Sequence, residues 1–171
     1  MISIIVATDL NGGIGYKKGG LPWKIISEHE HYRSIVRGKI LLMSRKNFEL
    51  SHYKDLDDKV LIMSKTKTID DFKGYSQVLD VFSSVEEFLN SKYSKEDIFC
   101  LGGSEIYTEV LPHTQFLHLS IIEAETDAEV FFSGWKNYSW ETLNQKRVSN
   151  ESESYSWSYS LLEKVPSGTV F

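Results

Sequence analysis

The sequence predicts an α/β protein built on a mainly parallel mixed sheet with an antiparallel C-terminal edge. Two observations carry this prediction. Over the first two thirds of the chain, short β-branched runs alternate with helix-start signals, as strands joined by crossover helices do. In the last third three strand-like runs follow one another, and the final two have no helical pattern between them, which implies antiparallel pairing at a sheet edge. The 171 residues are 41% hydrophobic and 25% charged, with 3 Pro and 11 Gly. That composition excludes disordered and fibrous chains and suits one domain over residues 1–165 with a C-terminal tail at 166–171.

Ile2 to Ala7 is a nearly continuous β-branched run, the pattern of a central strand buried on both faces. Asp9 to Gly20 carries five glycines in twelve residues and reads as a mobile loop ended by Leu21-Pro22-Trp23. Ser27-x-x-Glu30 matches a capping box and predicts a helix over residues 28–36 with Ser27 as N-cap. On that helix Glu28, Tyr32, Ile35 and Val36 fall on one side, which puts a carboxylate on an apolar stripe. Lys39 to Met43 is a second buried strand leading into a helix start at Ser44-Arg45-Lys46-Asn47. Val60 to Ser64, followed by Lys65-Thr66, repeats that design after a third strand. Val78 to Phe82 is a short strand, and Ser84-Val85-Glu86-Glu87 caps a helix reaching about Asn90. Ile98 to Leu101 is a strand that runs through Gly102-Gly103-Ser104 into a helix over Glu105 to Val110, stopped by Pro112. The last strands span residues 116–122, 139–148 and 155–162.

A net charge of −5 argues against a nucleic-acid or anionic-membrane partner. Cys100 stands alone, so neither an intrachain disulfide nor a cysteine metal cage can form, and this fits a reducing cytoplasm. The N-terminus has no basic region, and its apolar run is of strand length, unlike a signal peptide or a membrane span. No metal is expected. The five histidines lack a metal-binding or catalytic spacing, and neither a nucleophile elbow nor a Walker sequence occurs.

The polar or glycine-rich turns after the second and third strands and at Gly102-Gly103-Ser104 point to a phosphate-bearing ligand. Free N–H groups at helix starts beside strand ends favour anions, and Arg45, Lys46 and Lys65 could surround an extra phosphate. The other reading is that the glycines make tight turns and the cations are solvated. Glu28 is the strongest single candidate. Beside the positive end of its helix it could be a simple first-turn acid, but its apolar face and the nearby Trp23 point to a carboxylate that holds a ring edge by two hydrogen bonds.

Taken in order, Ile2 to Ala7, Ile14-Gly15, Leu21-Pro22-Trp23, Glu28, Met43-Ser44-Arg45, Gly102 to Tyr107 and the aromatic strand ending near Leu162 resemble the dihydrofolate reductase family from end to end. The resemblance implies a three-layer, mainly parallel eight-stranded mixed sheet with an antiparallel C-terminal edge and four flanking helices. It also implies that NADPH delivers hydride to C6 of 7,8-dihydrofolate while N5 gains a proton. Glu28 matches the acid that holds the pteridine and promotes N5 protonation, with Trp23, Tyr107 and Ser120 beside it; Ser120 stands where a Thr usually supports the acid. Ile5, Val6, Ala7, Leu21, His29, Tyr32, Arg33, Leu56, Lys59 and Leu101 match the substrate pocket. Ala7, Ile14, Gly15, Ser44, Arg45, Lys46, Asn47, Met63, Ser64, Lys65, Leu101, Gly103, Ser104, Glu105, Ile106 and Tyr107 match the cofactor site. The family's usual state is a monomer, with a mobile loop that closes over the cofactor.

Four positions depart from the family pattern. Ser44 replaces a usual Gly, His29 replaces an apolar neighbour of the acid, and Ala128-Glu129-Val130-Phe131-Phe132 replaces an acidic-loop motif with Gly-Asp-Thr. The fourth lies where the family clamps the glutamate α-carboxylate with an Arg. There this chain has Asp58 in a gap-free alignment, or Lys59 when Leu56 is the anchor, with Arg33 as a second cation. A reductase of a tail-free dihydropterin or another substrate, and a non-catalytic binding homologue, therefore stand as alternatives.

Overall fold

The computed structural model describes residues 1–168; the last three residues of the expected tail lie outside the described residues. The strands are β1 (Ile2–Thr8), β2 (Gly13–Gly15), β3 (Ile40–Ser44), β4 (Lys59–Met63), β5 (Val78–Phe82), β6 (Ile98–Cys100), β7 (Thr114–Ile122), β8 (Val130–Phe131), β9 (Trp140–Val148) and β10 (Trp157–Lys164). The α-helices are α1 (Ile26–Val36), α2 (Arg45–Leu50), α3 (Val85–Leu89) and α4 (Ser104–Val110). Eight strands form one sheet in the order β5-β4-β3-β6-β1-β7-β10-β9. All neighbours from β5 to β7 pair in parallel, and β10 pairs antiparallel with both β7 and β9. The mixed sheet and its antiparallel edge are as the sequence predicts.

Three layers follow from side-chain alternation along buried strands. On one face Ile2, Ile4, Val6, Leu42, Leu61, Ile98 and Leu117 pack against Val85 and Phe88 of α3 and Ile106, Tyr107 and Val110 of α4. On the other, Ile5, Leu41, Met43, Val60 and Ile62 pack against Val36 of α1 and Phe48 of α2. Several of these side chains are wholly enclosed, and each such burial contributes about 1.5–3 kcal/mol. The outermost strand β9 is exposed along nearly its whole length.

Four local expectations are corrected. Helix α1 starts two residues earlier than the capping box implies: Ile25 is the N-cap, without a side-chain bond, and Ser27 lies inside the helix. The Ser27 hydroxyl instead accepts the indole N–H of buried Trp157 at 2.9 Å, so a tertiary donor needing a partner outweighs the local cap. The glycine-rich loop is not wholly irregular, since Gly13–Gly15 pairs with Val130–Phe131. No helix starts at Ser64 either; its hydroxyl accepts the N–H groups of Thr66 and Lys67, which closes a turn ahead of a 3₁₀ helix at Ile69–Phe72. The Ser84 cap forms, but Glu87 reaches Ser83 rather than Ser84.

Candidate active site

Parallel β1, β3 and β6 end on the same edge of the sheet, and that edge carries the starts of α2 and α4. Ser44 caps α2 by accepting the N–H of Asn47 at 3.1 Å, and its own N–H donates to the Gly102 carbonyl at 2.8 Å. The Asn47 amide donates to the Leu101 carbonyl at 3.0 Å, so the two helix starts are tied together. Gly102 has φ +91°, and a Cβ there would stand 2.6 Å from the Tyr107 ring, so this position requires glycine. The Gly102–Gly103 peptide is cis. A Cβ at Gly103 would meet nothing within 4 Å, so this side of the turn is open and can receive a bulky group such as a pyrophosphate. The Tyr107 hydroxyl donates to the Ile5 carbonyl at 2.8 Å and fixes α4 to β1. Ile106 faces the core, which leaves its backbone as the part that could meet a ligand, whereas Glu105 is exposed.

Cations line the same edge. Arg45 is half-buried and pairs with Glu49 at 3.2 Å, and Lys65 is exposed at the Ser64 turn beside buried Met63. The Lys46 ammonium donates to the Lys17 carbonyl of the glycine-rich loop, so the structure engages this residue in holding the loop against α2. Gly15 belongs to the short strand at the loop base, with Ile14 half-buried beside it.

Glu28 is buried on α1, and desolvation raises its carboxyl to about 7. Among the described residues no side chain or backbone group hydrogen-bonds to its carboxyl. Trp23 is buried nearby in sequence, packed with Ile25, Ile122, Trp157, Tyr159 and Ala7, and its indole N–H has no protein acceptor. Ile5, Tyr32, Leu56 and Leu101 gather in one hydrophobic cluster with Val36 of α1. Val6 does not join them. Strand alternation sends its side chain to the opposite layer, among Ile106 and Tyr107, so at most its backbone reaches the pocket. Ser120 is buried opposite Ala7 and Tyr159 and makes no direct hydrogen bond to Glu28 among the described residues. Leu21 is exposed on the loop.

Farther along α1, His29 is exposed and its ring lies 5.6 Å from that of His52, which stacks on Tyr53 at 4.8 Å. Arg33 Nη2 lies 3.2 Å from Asp58 Oδ2 and 3.4 Å from Oδ1. Lys59 is exposed at the first residue of β4, the end of that strand opposite the cofactor edge. Arg33, Leu56, Asp58 and Lys59 line an open pocket of about 320 Å³.

Sequence reasoning missed the anchor of the glycine-rich loop. The Asp9 carboxylate accepts the N–H groups of Asn11 (2.9 Å), Gly13 (2.8 Å) and Thr126 (3.2 Å) and the hydroxyl of Thr126 (2.6 Å). Burial pushes its pKa up, but the hydrogen bonds from Thr126, Gly13 and Asn11 together hold it below the ordinary value. An Asp two residues before Asn-Gly-Gly is a local signal for such a turn; the Thr126 partner carries none. The loop is also tied through Tyr16 to Asp127 (2.7 Å) and through the Lys17 N–H to the Glu129 carboxylate (3.2 Å), so Glu129 in the divergent acidic segment does bind the loop. His31 and His118, which no motif connects, flank Tyr159: the His31 ring is 4.3 Å from it, and His118 Nδ1 lies 2.7 Å from its hydroxyl.

A strand edge that carries two helix starts and several cations, in one domain with an isolated buried carboxyl group, suits an α/β enzyme that pairs a phosphate-bearing cofactor with a second ligand needing a proton. The family model for dihydrofolate reductase matches residues 1–164, and the chain belongs to that family. It is 27% identical over 165 residues to the dihydrofolate reductase of Bacillus subtilis, covering 96% of this chain and 95% of that one. It is 30% identical over 161 residues to that of Enterococcus faecium, covering 93% and 94%. Among solved structures, dihydrofolate reductase from Enterococcus faecalis complexed with NADP(H) and RAB-propyl aligns with a TM-score of 0.81 at 25% identity, over 96% of each chain.

Proposed function

We propose that this chain, an NADPH-dependent reductase of 7,8-dihydrofolate, yields 5,6,7,8-tetrahydrofolate with Glu28 as the group that handles the proton gained by N5. The observation that carries this reading is the buried Glu28 carboxyl, unpartnered in the protein and poised near neutrality. A carboxyl titrating close to the working pH can both hold a proton and release it. Facing N3 and the 2-amino group of the pterin, its ionised form accepts two hydrogen bonds, and ligand binding replaces the water it lost on burial.

Other residues position and shield. Tyr107 keeps the Ile5 carbonyl directed and α4 in register with β1. The Trp23 indole N–H, buried without an acceptor, has a hydrogen bond to offer the substrate or a water beside it. Ser120 contributes a hydroxyl behind the pterin, and Ile5, Tyr32, Leu56 and Leu101 supply apolar walls. The Gly102–Ser104 turn, the Ser44–Asn47 start, Met63, Ser64 and Lys65 hold the cofactor, with Arg45 and Lys65 toward its phosphates. NADPH supplies the hydride when bound. The loop from Asn11 to Trp23, anchored by Asp9 and Lys46, excludes water from the reacting centre.

The same reading makes residues 1–165 one domain with a short tail after it, in a monomeric cytoplasmic protein. Support comes from Cys100, which is fully enclosed with its thiol pushed up to about 12, as suits a structural cysteine in a reducing compartment. None of the helices among the described residues is long and apolar enough to cross a membrane. The test is NADPH oxidation with dihydrofolate as acceptor: the intact chain turns over and Glu28→Gln loses about two to four orders of magnitude. Equal rates in the two proteins would remove Glu28 from the mechanism.

A further inference from the structure

Dihydrofolate carries a glutamate with two carboxylates, and a cleft that binds it by this tail must offer them cations. Of the groups that line the pocket past Glu28, Arg33 is the one built for a carboxylate, because a guanidinium presents a planar fork of donors. Arg33 lies on α1 five residues beyond Glu28, about 7–8 Å along the helix axis, which is within the span of a substrate whose pterin sits at Glu28.

One end of that fork is occupied and the other is enclosed. Nη2 contacts both oxygens of Asp58, at 3.2 and 3.4 Å, and Nη1 is buried without a partner, with the guanidinium carbon 5.8 Å from the centre of the Tyr53 ring. The side chains of Arg33 and Asp58 are 18% and 7% exposed, so the pair is largely shielded from water. The other cations in the pocket, Lys39 and Lys59, are exposed and hydrated, and Asp57 stands beside them. Exposed ammonium groups contribute little to a fixed ion pair.

We infer that Asp58 is a specificity-determining residue: its carboxylate occupies the Arg33 guanidinium in place of the substrate's tail, so this reductase recognises dihydrofolate by its pterin and aryl portions and draws little from the glutamate. The inference rests on the reductase reading above. It makes Asp58 an internal competitor of the substrate, whose weakening improves binding of the tailed substrate alone. Asn at this position keeps the shape and one acceptor but loses the charge, so a substrate carboxylate can displace it from Arg33.

The test measures KM for dihydrofolate and for 6-methyl-7,8-dihydropterin, which lacks the tail, with NADPH saturating, in the intact chain, Asp58→Asn and Asp57→Asn. Asp58→Asn is expected to lower KM for dihydrofolate about three- to tenfold and to change KM for the dihydropterin less than about twofold. Asp57→Asn removes the same charge from the pocket without freeing Arg33 and is expected to move neither value more than about twofold. An unchanged or raised KM for dihydrofolate in Asp58→Asn, or an equal fall in Asp57→Asn, overturns the inference.

A second measurement needs no variant and keeps the inference testable should Asp58→Asn fold poorly. In the intact chain, KM for dihydrofolate is expected to rise less than about twofold between about 0.02 and 0.5 M salt, because the tail meets no fixed charge. A rise of about fivefold or more overturns it. Absence of NADPH oxidation by the intact chain with either pterin overturns the reductase reading itself, a result distinct from a changed KM pattern.

Discussion

Replacing Glu28 by Gln should stabilise the fold while it disables the chemistry. In the folded chain the carboxyl is held at about 7 by burial, against an ordinary value of 4.5. The folded state therefore keeps a proton that the unfolded state releases, and stability falls as pH rises from 4.5 through 7. The full loss, present above pH 7, is about 3 kcal/mol at 1.36 kcal/mol per tenfold change in proton affinity. Gln has nearly the same shape and no charge to desolvate, so it escapes the loss. Urea unfolding of both proteins at pH 5 and pH 8 reads the effect, since the midpoint shift times the slope gives the difference in stability. The expected result is near equality at pH 5 and a more stable variant, by about 2–3 kcal/mol, at pH 8. A variant no more stable than the intact chain at pH 8, or a gap that does not grow with pH, would refute the argument that burial raises this carboxyl. The same variant is expected to lose turnover, which would place this residue among those where activity is kept at the expense of stability.

Three further outcomes follow from other contacts. Asp9→Ala removes the acceptor of four hydrogen bonds and is expected to cost about 2–4 kcal/mol of stability by urea unfolding at pH 7; because the folded carboxyl lies below its ordinary value, that cost shrinks as pH falls below the ordinary range, and a cost unchanged at pH 3 would contradict it. Gly102→Ala forces a Cβ against the Tyr107 ring at a left-handed φ, and a loss of at least about 2 kcal/mol is expected in thermal unfolding; an unchanged Tm would count against the packing described. His31 and His118 are both held down at about 4 by burial, His31 also by Lys146 and His118 also by His31, and they stay neutral around Tyr159. The unfolded state takes up their protons first, so stability falls as pH drops from 6.5 through 4, and His31→Leu is expected to unfold later than the intact chain at pH 4.5 relative to pH 7.5.

The layered sheet was readable because its information is local. Strands such as Ile2–Thr8 and Val60–Met63 are buried on both faces and therefore written as nearly unbroken apolar runs, while the C-terminal strands, partly or wholly exposed, carry polar residues among the apolar ones. The strand-to-helix turns at Ser44 and Gly102 could likewise be placed, since caps and glycines act within a few residues. Glu28 stood out for the same reason, as a charge on an apolar stripe. What stayed hidden depended on partners distant in sequence. Ser27 has a perfect capping pattern, yet Trp157 takes its hydroxyl from 130 residues away. Val6 and Ile5 are equal as residue types, and the pleat alone decides which faces the pocket. Asp58 reads as an obstacle to an anionic substrate until the fold sets it against Arg33, and Lys46 reads as a phosphate ligand until the loop reaches it. Local signals locate the site; its electrostatics depend on tertiary pairing.

The exposed outer strand has a consequence for how molecules of this protein meet one another. An edge strand of nine residues offers a row of unpaired backbone groups to any neighbouring chain. Here that row is flanked by the exposed side chains of Glu141, Asn144, Gln145, Lys146 and Arg147, and Arg147 is held back on Glu123 by two bonds of 2.8 Å. A second copy approaching edge to edge would have to strip water from these charges before any ladder could form. The opposite edge, β5, has only five residues and carries Asp80 at its middle. Strand addition is therefore discouraged at both ends of the sheet. Because β9 is separated from β1 by two intervening strands, its surface can change to resist self-association without disturbing the residues around Glu28.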